Sequence, residues 1–429
     1  MKFLSCLCLV FLLTACLDEK LPADLLVKNA TIYTVNETFD VAAAFVVKDG
    51  KILEVGKKPE LELKYNSTTS YNAKGKTIVP GLIDAHAHLY NLGVTMQHLD
   101  LVGTTSFKEV LEKTVAFQEE KQLDFILGRG WDQNDWELQV FPNNEMLDVL
   151  FPETPVALTR IDGHAMVANT KALALAGITS ATKVAGGTVV LKDGKLTGLL
   201  IDTPMSLVYE TVPKPTTETI KKTLKEAEQV CLSYGLTTLD DAGLSIEVIT
   251  AIQELQSAGE LSLRVYAMIS NTPAALDYFL PKGIIKTDRL NVRSVKVYAD
   301  GALGSRGAAL RDPYSDDHNH FGAMITDAPT LERLASRIAA AGFQMNTHAI
   351  GDSANTAVIR VYQKALEGKN DKRWRIEHAQ VLSATDFTHF SKNIIPSIQP
   401  THATSDMYLA QAVYYTHLTL PTTYSVYIH

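Results

Sequence analysis

The chain has 429 residues, 46% of them hydrophobic, with 40 Lys and Arg against 48 Asp and Glu and a formal net charge of −8. That is too apolar for a disordered chain and too acidic for a protein that neutralises phosphates, so no nucleic acid is expected as a partner. At roughly 150 residues per domain the length fits two or three domains, or one large α/β barrel with additions, and a core of that size needs no covalent staples.

Met1 to Cys16 begins with a basic residue, runs through apolar Phe11-Leu12-Leu13 and ends on Thr14-Ala15-Cys16. This is the layout of a secretory signal, too short for a membrane span of about 20 apolar residues. Leu13-Thr14-Ala15-Cys16 also resembles the lipobox of bacterial lipoproteins. The resemblance implies removal of residues 1–15, lipidation of Cys16 and a membrane contact through lipid alone. Leu17, in place of Asp after the cysteine, implies the outer membrane, facing the periplasm; a plain signal peptide would imply a periplasmic protein. Cys6, Cys8 and Cys16 lie in this leader, and Cys231 alone is left in the body. The body therefore forms no internal disulfide, and Cys231 is expected to be a small core residue.

Residues 16–79 read as β-structure. Leu25-Leu26-Val27, Thr31 to Val35, Ala43 to Val47 and Ile52 to Val55 are short β-prone runs, punctuated by Asn29, Asn36, Asp49-Gly50 and Gly56. Asp49-Gly50 is a good hairpin turn, and a small β-sandwich part, or half of one, is expected. Residues 80–412 then change character. In Gly81-Leu82-Ile83-Asp84-Ala85-His86-Ala87-His88, apolar residues alternate with Asp84, His86 and His88, so a strand here turns both imidazoles to one side. Two neutral imidazoles so placed can grip one metal ion.

Residues 95–215 are turn-rich, with a hairpin-like stretch around Asp193-Gly194, and are expected to form an insertion over a barrel mouth. From about Thr217, strand-like runs alternate with amphipathic ones, the pattern of repeated βα units around a parallel sheet. The expected strands are Leu236–Leu239, Leu263–Ile269, Ser294–Tyr298, Phe343–Thr347, Trp374–Glu377 and Ile395–Ile398. The expected helices include Ile246–Leu255, Leu331–Ala341 and Ala354–Leu366. Barrel chemistry sits where strands end. Asp240-Asp241, Lys296, His348, His378 and His402 are expected at those ends.

Pro80-Gly81-Leu82-Ile83-Asp84 with His86 and His88 resembles the first-strand motif of the amidohydrolase superfamily. By that resemblance His348, in Asn346-Thr347-His348-Ala349, matches the fifth-strand histidine and His378, in Glu377-His378-Ala379, the sixth. Lys296 stands where members with two metals carry a carboxylated lysine; an ion pair with Asp300 or Glu377 is the alternative. Gly128-Arg129-Gly130-Trp131-Asp132-Gln133, Arg160-Ile161-Asp162-Gly163-His164, Asp300-Gly301-Ala302-Leu303-Gly304-Ser305-Arg306 and Ser397-Ile398-Gln399-Pro400-Thr401-His402 follow in order. Together they resemble amidohydrolase family 3, the branch similar to N-substituted formamide deformylases. The resemblance implies a distorted (β/α)8 TIM-like barrel. It also implies one or two divalent ions, zinc by expectation, and hydrolysis of a small-molecule non-peptide amide by metal-activated water. Trp131, Asp132, Asp162, His164, Arg306 and His402 are candidate substrate contacts, with packing or ion pairing as the alternative for the first five and a solvated strand-end position for His402. His98, His318, His320 and His389 have no motif context and are expected at the surface.

The family places a proton-shuttling Asp at the end of strand eight. Asp406 lacks the Gly-Ser-Asp setting of that residue, and family resemblance stops near Ala412. Residues 413–429 read as a non-family tail, an artefact of sequence read-through. The barrel is thus expected to be incomplete at its C-terminal end and the chain as written inactive. The alternative is an envelope binding protein that keeps the barrel without catalysis.

Overall fold

Residues 19–404, apart from 185, are described by a computed structural model of the chain. The leader with Cys16, Asp406 and the 413–429 tail lie outside the described residues. The chain divides into two compact units at Leu82 and Ile83.

The first unit holds β1 (Leu21–Tyr33), β2 (Val41–Lys48), β3 (Lys51–Gly56), β4 (Tyr65–Asn72) and β5 (Thr77–Ile78). They form one mixed sheet in the order β3-β2-β1-β4, with β5 also on β1. Asp49 and Gly50, at φ 50° and 73°, turn β2 into β3, as a two-residue hairpin requires. The expected sandwich is thus a single sheet, half of one, with the helix Lys58–Lys64 supplying Leu61 to its core beside Leu26, Val46 and Tyr65. Asn29 does not separate two strands. At φ 58° it sits in a register shift between Lys28 and Ile32 inside one long strand.

The second unit opens with β6 (Leu82–Ala87), which is followed by an inserted sheet. That sheet comprises β7 (Leu99–Asp100), β8 (Ile126–Trp131), β9 (Val156–Arg160), β10 (Ala165–Ala168), β11 (Gly187–Lys192) and β12 (Lys195–Asp202). Its order is β11-β12-β10-β9-β8-β7, and it has its own apolar core. Lys121 of this insertion pairs with Glu226, on the outer helix Thr217–Ser233, at 3.2 Å. The contact sets this edge of the insertion beside an outer helix of the barrel.

The barrel sheet continues with β13 (Leu236–Leu244), β14 (Arg264–Ser270), β15 (Ile285–Lys286), β16 (Leu290–Tyr298), β17 (Gln344–Ala349), β18 (Trp374–His378) and β19 (Ile394–Ser397). Its order is β6-β13-β14-β16-β17-β18-β19, with the short β15 on β16. From β13 to β19 the main strands pair in parallel. Helices return the chain between them, each begun by a side-chain cap where the sequence offers one: Ser245 to Val248 N–H, and Asp327 to Thr330 N–H. Their apolar faces bury Leu224, Ile252, Ile338 and Tyr362 against the sheet. Pro396, which has no N–H to donate, is tolerated because β19 is at the sheet's edge. Among the described residues no eighth strand lies between β19 and β6, so the sheet is curled but open. β13 also runs five residues further than expected, which moves Asp240 and Asp241 from a strand end to its interior.

Candidate metal centre

Alternation along a strand sends every second side chain into the barrel. On β6 these are Asp84 and His86, with His88 just beyond; on β16, Ser294, Lys296 and Tyr298; on β17, Gln344, Asn346 and His348. On β18 the inward residues are Arg375 and Glu377, so His378 would by period face the helices. The backbone changes course there: His378 and Ala379 have φ of 74° and 43°. A left-handed conformation in non-glycine residues is strained and re-aims the ring toward its partners.

Five candidate ligands from four distant segments are brought together. Ring centroids lie 5.5 Å apart for His86 and His88, 4.7 Å for His86 and His378, and 4.6 Å for His348 and His378. Lys296 Nζ is 3.5 Å from His86 Nε2. His402 stands beside them, its ring 5.7 Å from that of His378. Two imidazoles bound to one zinc at about 2.0–2.1 Å place their centroids roughly 5 Å apart, so the spacing suits a shared cation. Among the described residues no three His, Cys, Asp or Glu side chains are already closed into a coordination shell. The rings are gathered, but their donor atoms do not yet converge.

The second ring nitrogens are committed elsewhere. His86 Nδ1 lies 2.5 Å from Glu377 Oε2, His378 Nδ1 lies 2.7 Å from Gln399 Oε1, and His348 Nε2 lies 3.3 Å from the Gly301 carbonyl. Each partner is an acceptor, so each of these nitrogens carries the proton. Nε2 of His86, Nε2 of His378 and Nδ1 of His348 are left with lone pairs, the arrangement that metal-ligating histidines adopt.

Burial sets the electrostatics. It holds His348 down to about 4 and His378 to about 3, so both stay neutral at ordinary pH. It also lowers Lys296, 1% exposed, to about 8. No carboxylate lies within 4 Å of the Lys296 amine among the described residues, so the expected alternative, an ion pair with Asp300 or Glu377, is not formed. Glu377 is fully buried, which by itself would raise its pKa. Hydrogen bonds from His86 and Arg375 outweigh that and hold it at about 2. Asp300 accepts backbone N–H bonds from Ala309, Ile350 and Gly351, fixing the loop after β16 beneath His348, and burial raises it to about 6.

The remaining candidates fall elsewhere. Trp131 is fully buried in the inserted sheet, donates from Nε1 to the Leu158 carbonyl and stacks near Trp136, so it packs and does not line a cleft. Asp132 and Asp162 both pair with Arg160. His164, 74% exposed, pairs with Asp202. No hydrogen bond, ion pair or ring contact among the described residues ties these four to the histidines. Arg306 closes a salt bridge with Asp316. His320 is half-buried and not at the surface, donating to the Arg306 carbonyl and stacking on Tyr314. Arg375 and Tyr298 were not singled out from sequence. Tyr298 sits at the mouth, its ring 5.6 Å from His348. The signal for Arg375 was present: in Trp374-Arg375-Ile376-Glu377 the polar positions alternate with buried apolar ones, which marks a polar barrel interior.

A curled parallel sheet with outer helices, carrying histidines and a lysine at its strand ends, defines a hydrolase of the α/β-barrel class. A model of the amidohydrolase family matches residues 70–424. The chain is 34% identical over 403 residues to the Arabidopsis thaliana protein LONG AFTER FAR-RED 3, covering 90% of this chain and 69% of that one. It is 25% identical to the N-substituted formamide deformylase of Arthrobacter pascens, covering 83% and 69%. Among solved structures, an uncharacterized metal-dependent hydrolase from Pyrococcus furiosus superposes with a TM-score of 0.74 at 26% identity, covering 90% of this chain and 79% of that one. The chain belongs to the amidohydrolase family.

Proposed function

We propose that this protein is a metal-dependent hydrolase that cleaves the carbon–nitrogen bond of a small-molecule, non-peptide amide. The observation that carries the reading is the set of committed ring nitrogens: His86, His348 and His378 each donate one N–H to an acceptor and keep the other nitrogen as a lone pair. His86, His88, His348 and His378 would hold one or two divalent ions, zinc suiting such neutral imidazoles best. Burial lowers the Lys296 amine to about 8, which raises the share of the neutral form that can add carbon dioxide, and as a carbamate it would become a bridging ligand. A divalent ion so held lowers the pKa of water from 15.7 towards about 7 and polarises a carbonyl.

The chain's own residues do the rest. Glu377 and Gln399 keep His86 and His378 oriented, so little reorganisation accompanies reaction. Tyr298 and His402 stand at the mouth, where the hydroxyl and ring nitrogens can meet a substrate carbonyl or its leaving nitrogen. The formamide deformylase relative supports an N-substituted amide as the substrate class. The leader supports export and a lipid anchor at Cys16 in the cell envelope, and no helix among the described residues is long and apolar enough to cross a membrane.

One observation favours a second reading, a binding protein on the same barrel. Among the described residues the carboxylates beside the histidine rings, Glu377 and Asp300, are both buried and already bonded to His86, Arg375 and loop N–H groups, so neither is placed as a solvent-facing proton shuttle. Purified protein loaded with zinc and offered N-substituted formamides decides between them. Turnover that is lost with chelator and with His86→Ala supports the hydrolase. Tight binding without turnover supports the second reading.

A further inference from the structure

The barrel floor beneath the histidines is unusually polar. Such interiors are ordinarily filled by layers of Val, Ile and Leu. Here Arg375 lies in the centre and engages three strands at once. Its Nη1 is 2.5 Å from Asp240 Oδ2 on β13, and its Nη2 is 2.5 Å from the Ala85 carbonyl on β6. Its Nε and Nη2 make a two-pronged contact with Glu377 on its own strand, at 2.7 and 3.0 Å. Glu377 then accepts from His86 Nδ1 at 2.5 Å.

We propose that Arg375 is a positioning residue for the metal site: it fixes Glu377, and Glu377 fixes the tautomer and direction of His86. Two features of the geometry support this. A carboxylate with no exposed surface is costly unless its oxygens are fully satisfied, and the planar guanidinium satisfies both. The bond to Ala85 also ties β6, one residue before His86, to β18, the strand that supplies the facing His378. A lysine cannot replace this, because an ammonium lacks the flat fork that reaches Glu377, Asp240 and the carbonyl together. The inference rests on the metal-site reading above and adds which residue sets its first ligand.

The test uses the full chain, 15N-labelled at histidine, with and without zinc. In the metal-free protein the His86 proton is expected on Nδ1. In Glu377→Gln, whose amide can donate or accept, and in Arg375→Lys, His86 is expected to populate both tautomers. Zinc affinity should fall about 10–100-fold in each, the usual effect of losing such a partner. A purely structural role would lower the melting temperature and leave the tautomer alone. An unchanged tautomer, or zinc affinity within twofold of the parent, overturns the proposal. If neither variant folds, the parent decides: a proton on His86 Nε2 overturns it and one on Nδ1 supports it. Parent protein that binds no zinc would overturn the hydrolase reading, and the tautomer measurement would still judge the Arg375–Glu377–His86 link.

Discussion

The Nδ1 of His378 lies 2.7 Å from Oε1 of Gln399, which joins the end of the sixth barrel strand to the loop after the seventh. The contact holds a ring whose own backbone is in a left-handed conformation, so a side-chain bond secures what the strand's period does not. Gln399→Ala should weaken zinc binding about 10–100-fold with little change in the unfolding midpoint. Gln399→Glu, which keeps the acceptor, should restore most of it. Competition with a coloured chelator reads both.

Opposed pH dependences meet in this site. The unfolded histidines titrate near 6.5, while buried His348 and His378 hold out to about 4 and 3. Their contribution is therefore complete above 6.5 and is lost as pH falls towards 3, because the unfolded chain takes protons that the native one refuses. Asp300 and Asp241, raised by burial to about 6 and 7, act in the other direction: stability present below 3.8 is lost as pH rises through those values. Between pH 4 and 6 the two pairs offset, and the unfolding free energy of the metal-free protein is expected to be nearly flat there.

Asp241→Asn separates these effects. Asp241 is buried and accepts the Tyr90 N–H, a role that an amide oxygen can keep. The variant should gain about 1–3 kcal/mol on the parent at pH 8 and lose that advantage near pH 4, since a tenfold change in proton affinity is worth about 1.4 kcal/mol. Urea unfolding at both pH values checks it; a difference independent of pH would reject burial as the cause.

Gly93 lies in the helix Leu89–Thr95 that follows His88 directly. A Cβ there would stand 2.4 Å from the Thr223 carbonyl and 2.6 Å from its methyl group. Alanine would favour the helix by about 1 kcal/mol, but the clash is with backbone and should cost about 1–3 kcal/mol or more. Gly93→Ala is therefore expected to lower stability and to weaken zinc binding through displacement of His88. Unfolding and zinc titration together check this.

Trp131 distinguishes packing from substrate contact. Trp131→Phe removes the bond to the Leu158 carbonyl and leaves that oxygen buried, at about 1–3 kcal/mol. Stability should fall by that order while kcat/KM stays as in the parent. A changed KM at unchanged stability would return Trp131 to the substrate pocket.

Much of the barrel was legible along the chain, because each βα unit writes its own periodicity and caps. The six strands expected after residue 217 all form, and the helices begin near their capping Ser245 and Asp327. The errors arose where a tertiary partner overrides a local signal. Asn29 looks like a break but is absorbed as a shift in register within β1. Asp240-Asp241 looks like a strand end, yet the strand continues because Arg375 pairs with Asp240 and the Tyr90 N–H donates to Asp241 inside it. Trp131 and Asp132 lie within a motif that allowed either substrate contact or packing, and the fold gives the one a bond to the Leu158 carbonyl and the other an ion pair with Arg160.

Residue order by itself determined the family motifs, the strand and helix periods, and which side chains can offer a lone pair to a cation. These depend on chemistry and spacing within a few neighbours. Only the folded chain decided which ring nitrogen is free and which acid lies behind it. Residues 86 and 377 are 291 positions apart in the chain, and their 2.5 Å contact exists only because the sheet curls. Such contacts are set by the closure of strands in space, for which no local pattern is written.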